Sequence, residues 1–137
     1  MADVDLARAE RLLKSARDLQ TAGDLAGVAG LAYQAFESAV IALSLHVDGA
    51  NGGTHESRRR RAKSLLMQHR RQIDRLWETR NVDFYGNRRA LEPKRNLTDV
   101  DAQEALKSVE EIIAQVKQMM VTLADSTGET VISPAKR

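Results

Sequence analysis

The chain has 137 residues, a formal net charge of +2 and no cysteine. This length is typical of one globular domain, and the lack of cysteine excludes disulfides, thiolate metal sites and a cysteine nucleophile. Only 4% of the residues are aromatic and only two are proline, which favours helices over a strand-rich fold. The acidic start and the absence of an apolar run of about 18 residues are unlike a secretory signal or a membrane span, so the sequence predicts a cytoplasmic protein.

The first two predicted helices follow each other across a short break. Residues 5–20 carry an apolar stripe from Leu6 to Leu19 at the 3.6-residue period of a helix. Gly23 and Asp24 mark the break, because glycine accepts the left-handed conformation after a helix and aspartate caps the helix that follows. The next segment, 25–46, is apolar almost all the way round and is therefore predicted to be the central helix.

The second half of the chain predicts two further long helices. One spans 57–79 and faces inward through a stripe that includes Ala62, His69 and Trp77. Residues 82–97 are interpreted as a long loop with room for a short extra helix. The last long helix begins at Thr98 with a capping-box pattern and runs to about residue 124. The expected fold is all-α, an antiparallel four-helix bundle over 1–125 with a flexible C-terminal tail over 126–137.

Charge is distributed unevenly along the chain. Residues 1–56 contain 4 Lys and Arg against 8 Asp and Glu, residues 57–95 contain 13 against 4, and residues 96–137 contain 4 against 7. A basic middle segment between acidic flanks indicates either an anionic partner such as nucleic acid or docking of the basic helix onto its acidic neighbours within the fold.

The densest positive charge is the run Arg58, Arg59, Arg60 and Arg61 at the start of the predicted third helix. Cations at a helix N-terminus oppose the helix dipole, so this placement costs stability unless an anion offsets it. Successive residues on a helix are about 100° apart, so the four side chains cannot all grip one phosphate groove. Three interpretations stay open: a solvated helix end, phosphate contact, and contact with acidic helices of the same or a partner chain.

A second candidate segment combines a cation, an amide and aromatics. It runs Arg80-Asn81-Val82-Asp83-Phe84-Tyr85-Gly86, one turn after Trp77. Arginine beside aromatics can bind phosphate and stack on a base. The alternative is an ordinary helix C-terminus in which Asn81 caps the helix and Phe84 and Tyr85 fill the end of the bundle.

The three histidines do not indicate a metal site, and no cofactor is expected. His46, His55 and His69 are too far apart in sequence to ligate from adjacent helical turns. His69 belongs to the predicted inward stripe and is interpreted as a hydrogen-bonded core histidine.

Several of these segments together resemble the HEPN domain, a family of small prokaryotic helical bundles. The likeness lies in the segment 32–39, which reads AYQAFESA, in Thr54-His55, in Arg80-Asn81 with the trailing Tyr85-Gly86, and in the Ala- and Glu-rich helix from Asp101. It covers most of residues 5–120. The resemblance implies a helical bundle that works as a homodimer.

Ribonuclease members of that family carry an arginine followed four to six residues later by histidine. Arg80 matches the arginine and Asn81 the polar residue after it, but Tyr85, Gly86 and Asn87 stand where the histidine is expected. A tyrosine, with an ordinary pKa near 10, is poorly suited to act as the general base. A base supplied by His55 or His69 of a partner chain stays open.

We therefore expect a HEPN-like binding domain without catalytic activity, for RNA, a nucleotide or a nucleotidyltransferase-type partner protein in a toxin-antitoxin or defence-like system. The alternatives are an active, metal-independent ribonuclease with a substituted base and a module for protein-protein contact alone. The predicted ligand-binding residues are Arg80, Asn81, Tyr85, Arg58, Arg59, Arg60, Arg61, Arg88 and Arg89.

Overall fold

A computed structural model describes residues 2–49, 53–85 and 96–132, with side chains over 2–49, 53–82 and 96–122. Within these ranges the chain forms five α-helices and no strand. They are α1 (Ala2–Thr21), α2 (Leu25–Asp48), α3 (His55–Leu65), α4 (Arg70–Tyr85) and α5 (Asp99–Ile132), with a 3-10 turn over Met67–His69.

The four long helices α1, α2, α4 and α5 run alternately up and down, which confirms the predicted antiparallel bundle. Arg17 of α1 pairs with Glu110 of α5, and Glu10 pairs with Lys117, so the two helices run in opposite directions. Along α4 and α5, Gln72 bonds to Glu111 and Arg75 to Glu104, again with opposite directions. The tight turn between α1 and α2 makes this pair antiparallel as well.

The first turn is built as the sequence predicts. Gly23 has a φ of +81°, in the left-handed region that favours glycine. The carboxylate of Asp24 then accepts a hydrogen bond of 2.9 Å from the backbone nitrogen of Gly27, which caps α2.

Helix α2 is the centre of the molecule, as its apolar composition predicts. It packs against α1, α3, α4 and α5. By length and composition alone α2 could also cross a membrane, but 72% of its apolar window is buried inside the fold, which accounts for that composition. The largest fully buried side chains are Tyr33, Phe36, Val28, Val40 and Leu43 of α2, Leu66, Ile73 of α4, and Val109, Ile112 and Val116 of α5.

The predicted continuous helix over 57–79 is wrong, because the chain breaks at Leu66. Leu66 has φ −120° and ψ 61° and is fully buried. Lys63 crosses the break to Asp74, 2.9 Å away, and Arg70 donates from Nε to the Lys63 carbonyl at 3.2 Å. No proline or glycine marks this position, so the bend is explained by the packing of both halves on α2.

The ends of the last two helices also differ from expectation. Helix α4 continues to Tyr85, six residues beyond the predicted end, so residues 82–85 of the predicted loop are helical. Helix α5 extends to Ile132, past the expected end near residue 124. The place expected for an extra helix falls mainly on residues 86–95, outside the described residues, and the division into body and tail stays a prediction.

Candidate functional site

Three aromatic rings, from α2, α3 and α4, lie in contact with one another. The ring centroids of Tyr33 and Trp77 are 5.5 Å apart, those of Tyr33 and His55 are 6.0 Å apart, and those of His55 and Trp77 are 6.2 Å apart. We call these three residues the ring cluster. Tyr33 is buried in the core, whereas Trp77 is half-buried and His55 is exposed, so the cluster extends from the core to the surface.

Two guanidinium groups lie over the ring cluster. The Cζ of Arg59 is 4.3 Å from the centroid of the Trp77 ring, and that of Arg80 is 4.9 Å from the same ring and 5.6 Å from the Tyr33 ring. Such stacking attracts the cation to the ring face and fixes the orientation of its planar fork of N–H donors. The stacked arginines are thus pre-arranged donors for an anion.

One buried carboxylate, that of Glu37 on α2, ties α3 to the site. Its Oε2 lies 2.5 Å from Nδ1 of His55, and its Oε1 lies 3.7 Å from Nη1 of Arg58. Only 10% of the Glu37 side chain is exposed. The N-terminal turn of α3 is also fixed by a capping box, in which the backbone nitrogen of Ser57 donates to the Thr54 hydroxyl and that of Thr54 donates to the Ser57 hydroxyl.

Three polar atoms in this region are buried without a well-aligned hydrogen-bond partner: the Tyr33 hydroxyl, Nη1 of Arg59 and Oδ1 of Asn81. Asn81 shares a face of α4 with Trp77, four residues earlier. An unpaired buried donor or acceptor costs about 1–3 kcal/mol. All three atoms are shielded from solvent, so a ligand would reach them only if the side chains shift.

The environment of Tyr33 keeps its phenol protonated. Burial, and next the negative charge of Glu37, raise its pKa to about 12, while the cations Arg59 and Arg80 act in the opposite direction. Tyr33 is thus a neutral hydrogen-bonding group at physiological pH and cannot serve as a general base.

The four consecutive arginines have four different surroundings, as their spread around a helix requires. Arg58 approaches Glu37, Arg59 stacks on Trp77, Arg60 bonds to Glu56 one turn earlier at 2.9 Å, and Arg61 pairs with Asp48 at the end of α2. Arg58 and Arg61 thus hold α3 to α2, as the docking interpretation requires. Of the four, Arg59 alone joins the ring cluster.

The residues of the second candidate segment, 80–86, also differ in their surroundings. Arg80 joins the ring cluster, and Asn81 lies within α4, so the interpretation of Asn81 as a helix cap is wrong. Tyr85 is the last residue of α4, but its side chain lies outside the described ones. Arg88 and Arg89 lie outside the described residues.

The predicted ligand-binding residues did not include Tyr33, Glu37, His55 or Trp77. Signals were present, because Tyr33, Glu37 and His55 lie in the segments that resemble the family and Trp77 precedes Arg80 by one turn. In addition, Glu37 is the only acid between Asp24 and Asp48, within an otherwise apolar helix. His69 is half-buried in the 3-10 turn, with Nδ1 2.5 Å from the side-chain oxygen of Gln72, so it has a partner but does not lie in the core. Across the part of the chain that the structure describes, no three His, Asp or Glu side chains are grouped to hold a metal ion.

Comparison with known proteins identifies the family. The family model of the HEPN domain matches residues 4–119, which include all five helices at least in part and every member of the ring cluster. No curated protein and no solved structure matches the chain. Since the match spans most of the sequence and the fold is the expected helical bundle, this chain belongs to the HEPN domain family.

Proposed function

We propose that this chain binds RNA through the ring cluster and its stacked arginines. HEPN domains are generally associated with nucleotides or RNA, and the strongest support in this chain comes from Arg59. Arg59 is half-buried, its guanidinium stacks on Trp77, and its polar neighbour is the neutral Tyr33 hydroxyl, while none of the described carboxylates pairs with it. Arg59 also lines an open groove, so an anion from outside the chain can reach it, and burial of a charge without an ionic partner is costly.

The chemistry of the site fits a nucleotide unit of RNA better than a simple anion. Phosphate oxygens would accept from Arg59 and Arg80, while the amide oxygen of Asn81, which is buried, would accept from a base or ribose group once its side chain turns toward the ligand. Aromatic and arginine planes also provide surfaces on which bases stack without sequence preference. Tyr85, Arg88 and Arg89 belong to the same proposal as further contacts, since they follow Arg80 closely in sequence.

Trp77 provides a direct measurement of this binding, because it is the only tryptophan of the chain. We expect short RNA to change Trp77 fluorescence and the apparent affinity to fall steeply with salt, with a slope of about −0.7 per neutralised phosphate. Arg80→Gln should weaken binding, whereas Arg11→Gln, the same charge change at an exposed position of α1, should not. An absence of binding at low salt would exclude the proposal.

We further propose that the protein acts as a cytoplasmic homodimer and without catalysis. HEPN domains commonly dimerise, and a nucleotidyltransferase-type partner of a toxin-antitoxin or defence-like system would fit the same basic surface. Light scattering of the purified protein tests the dimer. Co-purification of such a partner would support the alternative of a module for protein contact, above all if RNA binding is absent.

A second candidate, metal-independent RNA cleavage, is favoured by the pair of His55 and Glu37. A carboxylate at Nδ1 holds an imidazole in the tautomer whose Nε2 can accept a proton. His55 is exposed and shares the ring cluster with Arg80. In this reaction Nε2 would take the proton of a 2′-hydroxyl, the 2′-oxygen would attack the adjacent phosphorus, and the bond from phosphorus to the 5′-oxygen would break, with water protonating that oxygen.

The cleavage assay compares purified wild type with His55→Ala and Arg80→Ala. Loss of activity in both variants, with RNA binding retained in His55→Ala, would establish the second candidate. Equal activity in all three proteins would identify a contaminating nuclease.

A further inference from the structure

A basic groove runs along α3 next to the ring cluster. Its volume is about 520 Å³, and its lining includes four cations, Arg59, Arg60, Lys63 and Arg70, against one carboxylate, that of Glu56. On α3, Lys63 lies three residues after Arg60 and four after Arg59, so these three cations share one side of the helix. Arg70 joins them from α4, because α4 folds back along α3 after the break at Leu66, as the Lys63–Asp74 contact and the stacking of Arg59 on Trp77 show.

The existing partners of these cations are weak competitors for a ligand. Arg60 and Glu56 form a pair between adjacent turns with side chains 74% and 72% exposed, and Lys63 and Asp74 are 36% and 48% exposed. Exposed pairs of this kind contribute little stability and are screened by salt. The hydrogen bond from Arg70 to the Lys63 carbonyl uses Nε, one of five N–H donors of the guanidinium.

The groove and the ring cluster share Arg59. This residue stacks on Trp77 and also lines the groove, so a ligand held at the ring cluster can continue into the groove without leaving positive potential. Met67 lines the groove with 62% of its surface exposed, which adds an apolar contact for an unpaired base. A positive groove with adjacent stacking surfaces is the usual arrangement of single-strand binding sites.

We propose that the groove formed by Arg59, Arg60, Lys63 and Arg70 binds the phosphates of a single-stranded RNA that extends from the ring cluster. The ligand is then an oligonucleotide and not a mononucleotide. This inference rests on the proposed function, and it adds Lys63 and Arg70 to the binding surface. A volume of about 520 Å³ has the size of a site for a small molecule or for a short stretch of a strand.

The test compares a mononucleotide, a dinucleotide, a short oligonucleotide and a duplex of matching sequence, each titrated against the fluorescence of Trp77. For the wild type we expect affinity to rise about 10-fold or more from the mononucleotide to the oligonucleotide, because each additional phosphate meets a charged donor. Arg60→Gln and Arg70→Gln should each reduce this gain and lower the magnitude of the salt slope by about 0.7. Both should weaken binding of the oligonucleotide more than binding of the mononucleotide.

Arg71→Gln is the matched control, because Arg71 is the exposed neighbour of Arg70 and lines a different cavity, between α4 and α5. It should leave the gain in affinity from mononucleotide to oligonucleotide intact, and the urea midpoints of all variants show whether they fold.

If the mononucleotide binds but a longer RNA binds no more tightly, or if the gain in affinity survives in both groove variants, the groove inference is overturned while the proposed function stands. Tighter binding of the duplex would overturn the single-strand assignment. If neither nucleotide nor RNA binds, the proposed function itself fails.

Discussion

Replacement of Arg59 by methionine should separate stability from binding. The Arg59 side chain packs on Trp77 but buries a terminal nitrogen that has no well-aligned hydrogen-bond partner. Methionine has a similar length, keeps a favourable sulfur contact with the ring and removes the unpaired donor. We therefore expect Arg59→Met to weaken RNA binding without weakening the fold.

The magnitudes follow from the contacts that change. Loss of the cation–π contact costs about 0.5–2 kcal/mol, whereas removal of a buried unpaired donor regains about 1–3 kcal/mol. The free energy of unfolding of Arg59→Met should thus equal that of the wild type or exceed it by about 1 kcal/mol. Loss of a charged hydrogen bond to phosphate costs about 1.5–3 kcal/mol, which corresponds to roughly 10- to 100-fold weaker RNA binding.

Urea denaturation measures the free energy of unfolding, and RNA titration measures the affinity. Arg71→Met is the control, because it removes a cation from an exposed position of α4. The control should leave RNA affinity nearly unchanged. If Arg59→Met lowers the free energy of unfolding by more than about 1 kcal/mol, Arg59 is a structural residue that is already satisfied in the ligand-free state. That result, or wild-type affinity in the variant, would refute the reasoning.

Three further predictions concern the support of the site. Glu37→Gln should lower the free energy of unfolding in urea by about 1–2 kcal/mol, which is less than the loss of a fully buried ion pair because its partners are partly exposed. Glu56→Gln, in an exposed pair, should lower it by under about 1 kcal/mol, and equal costs would contradict this ranking. Because the pKa of Tyr33 is raised in the folded protein, its phenol adds stability that is complete below pH 10.0 and is lost as the pH rises to about 12. Over that interval the free energy of unfolding of the wild type should fall by about 3 kcal/mol relative to that of Tyr33→Phe. Parallel curves of unfolding free energy against pH would argue against burial of the phenol. Thr54→Ala removes a helix cap and should cost about 1 kcal/mol by thermal or urea unfolding, with an unchanged midpoint contradicting the capping box.

Much of the architecture is predictable because helices are encoded locally. The apolar period of α1, the nearly all-apolar surface of α2 and the turn at Gly23 and Asp24 each depend on residues close together in sequence, and each is confirmed. The break at Leu66 could not be predicted in this way. No proline or glycine encodes it, and the buried Leu66 side chain lets α3 and α4 pack separately on α2.

The candidate site shows the same division between local and tertiary information. The sequence by itself determined an all-α chain with a central apolar helix, a basic middle segment and an Arg80-Asn81 pair at helical spacing from Trp77. Only the tertiary structure selected Arg59 from four consecutive arginines and placed it over Trp77, with His55 held by a carboxylate from α2. The physical reason is that periodicity specifies which face of a helix is apolar, whereas the meeting of three helices depends on how those faces pack together.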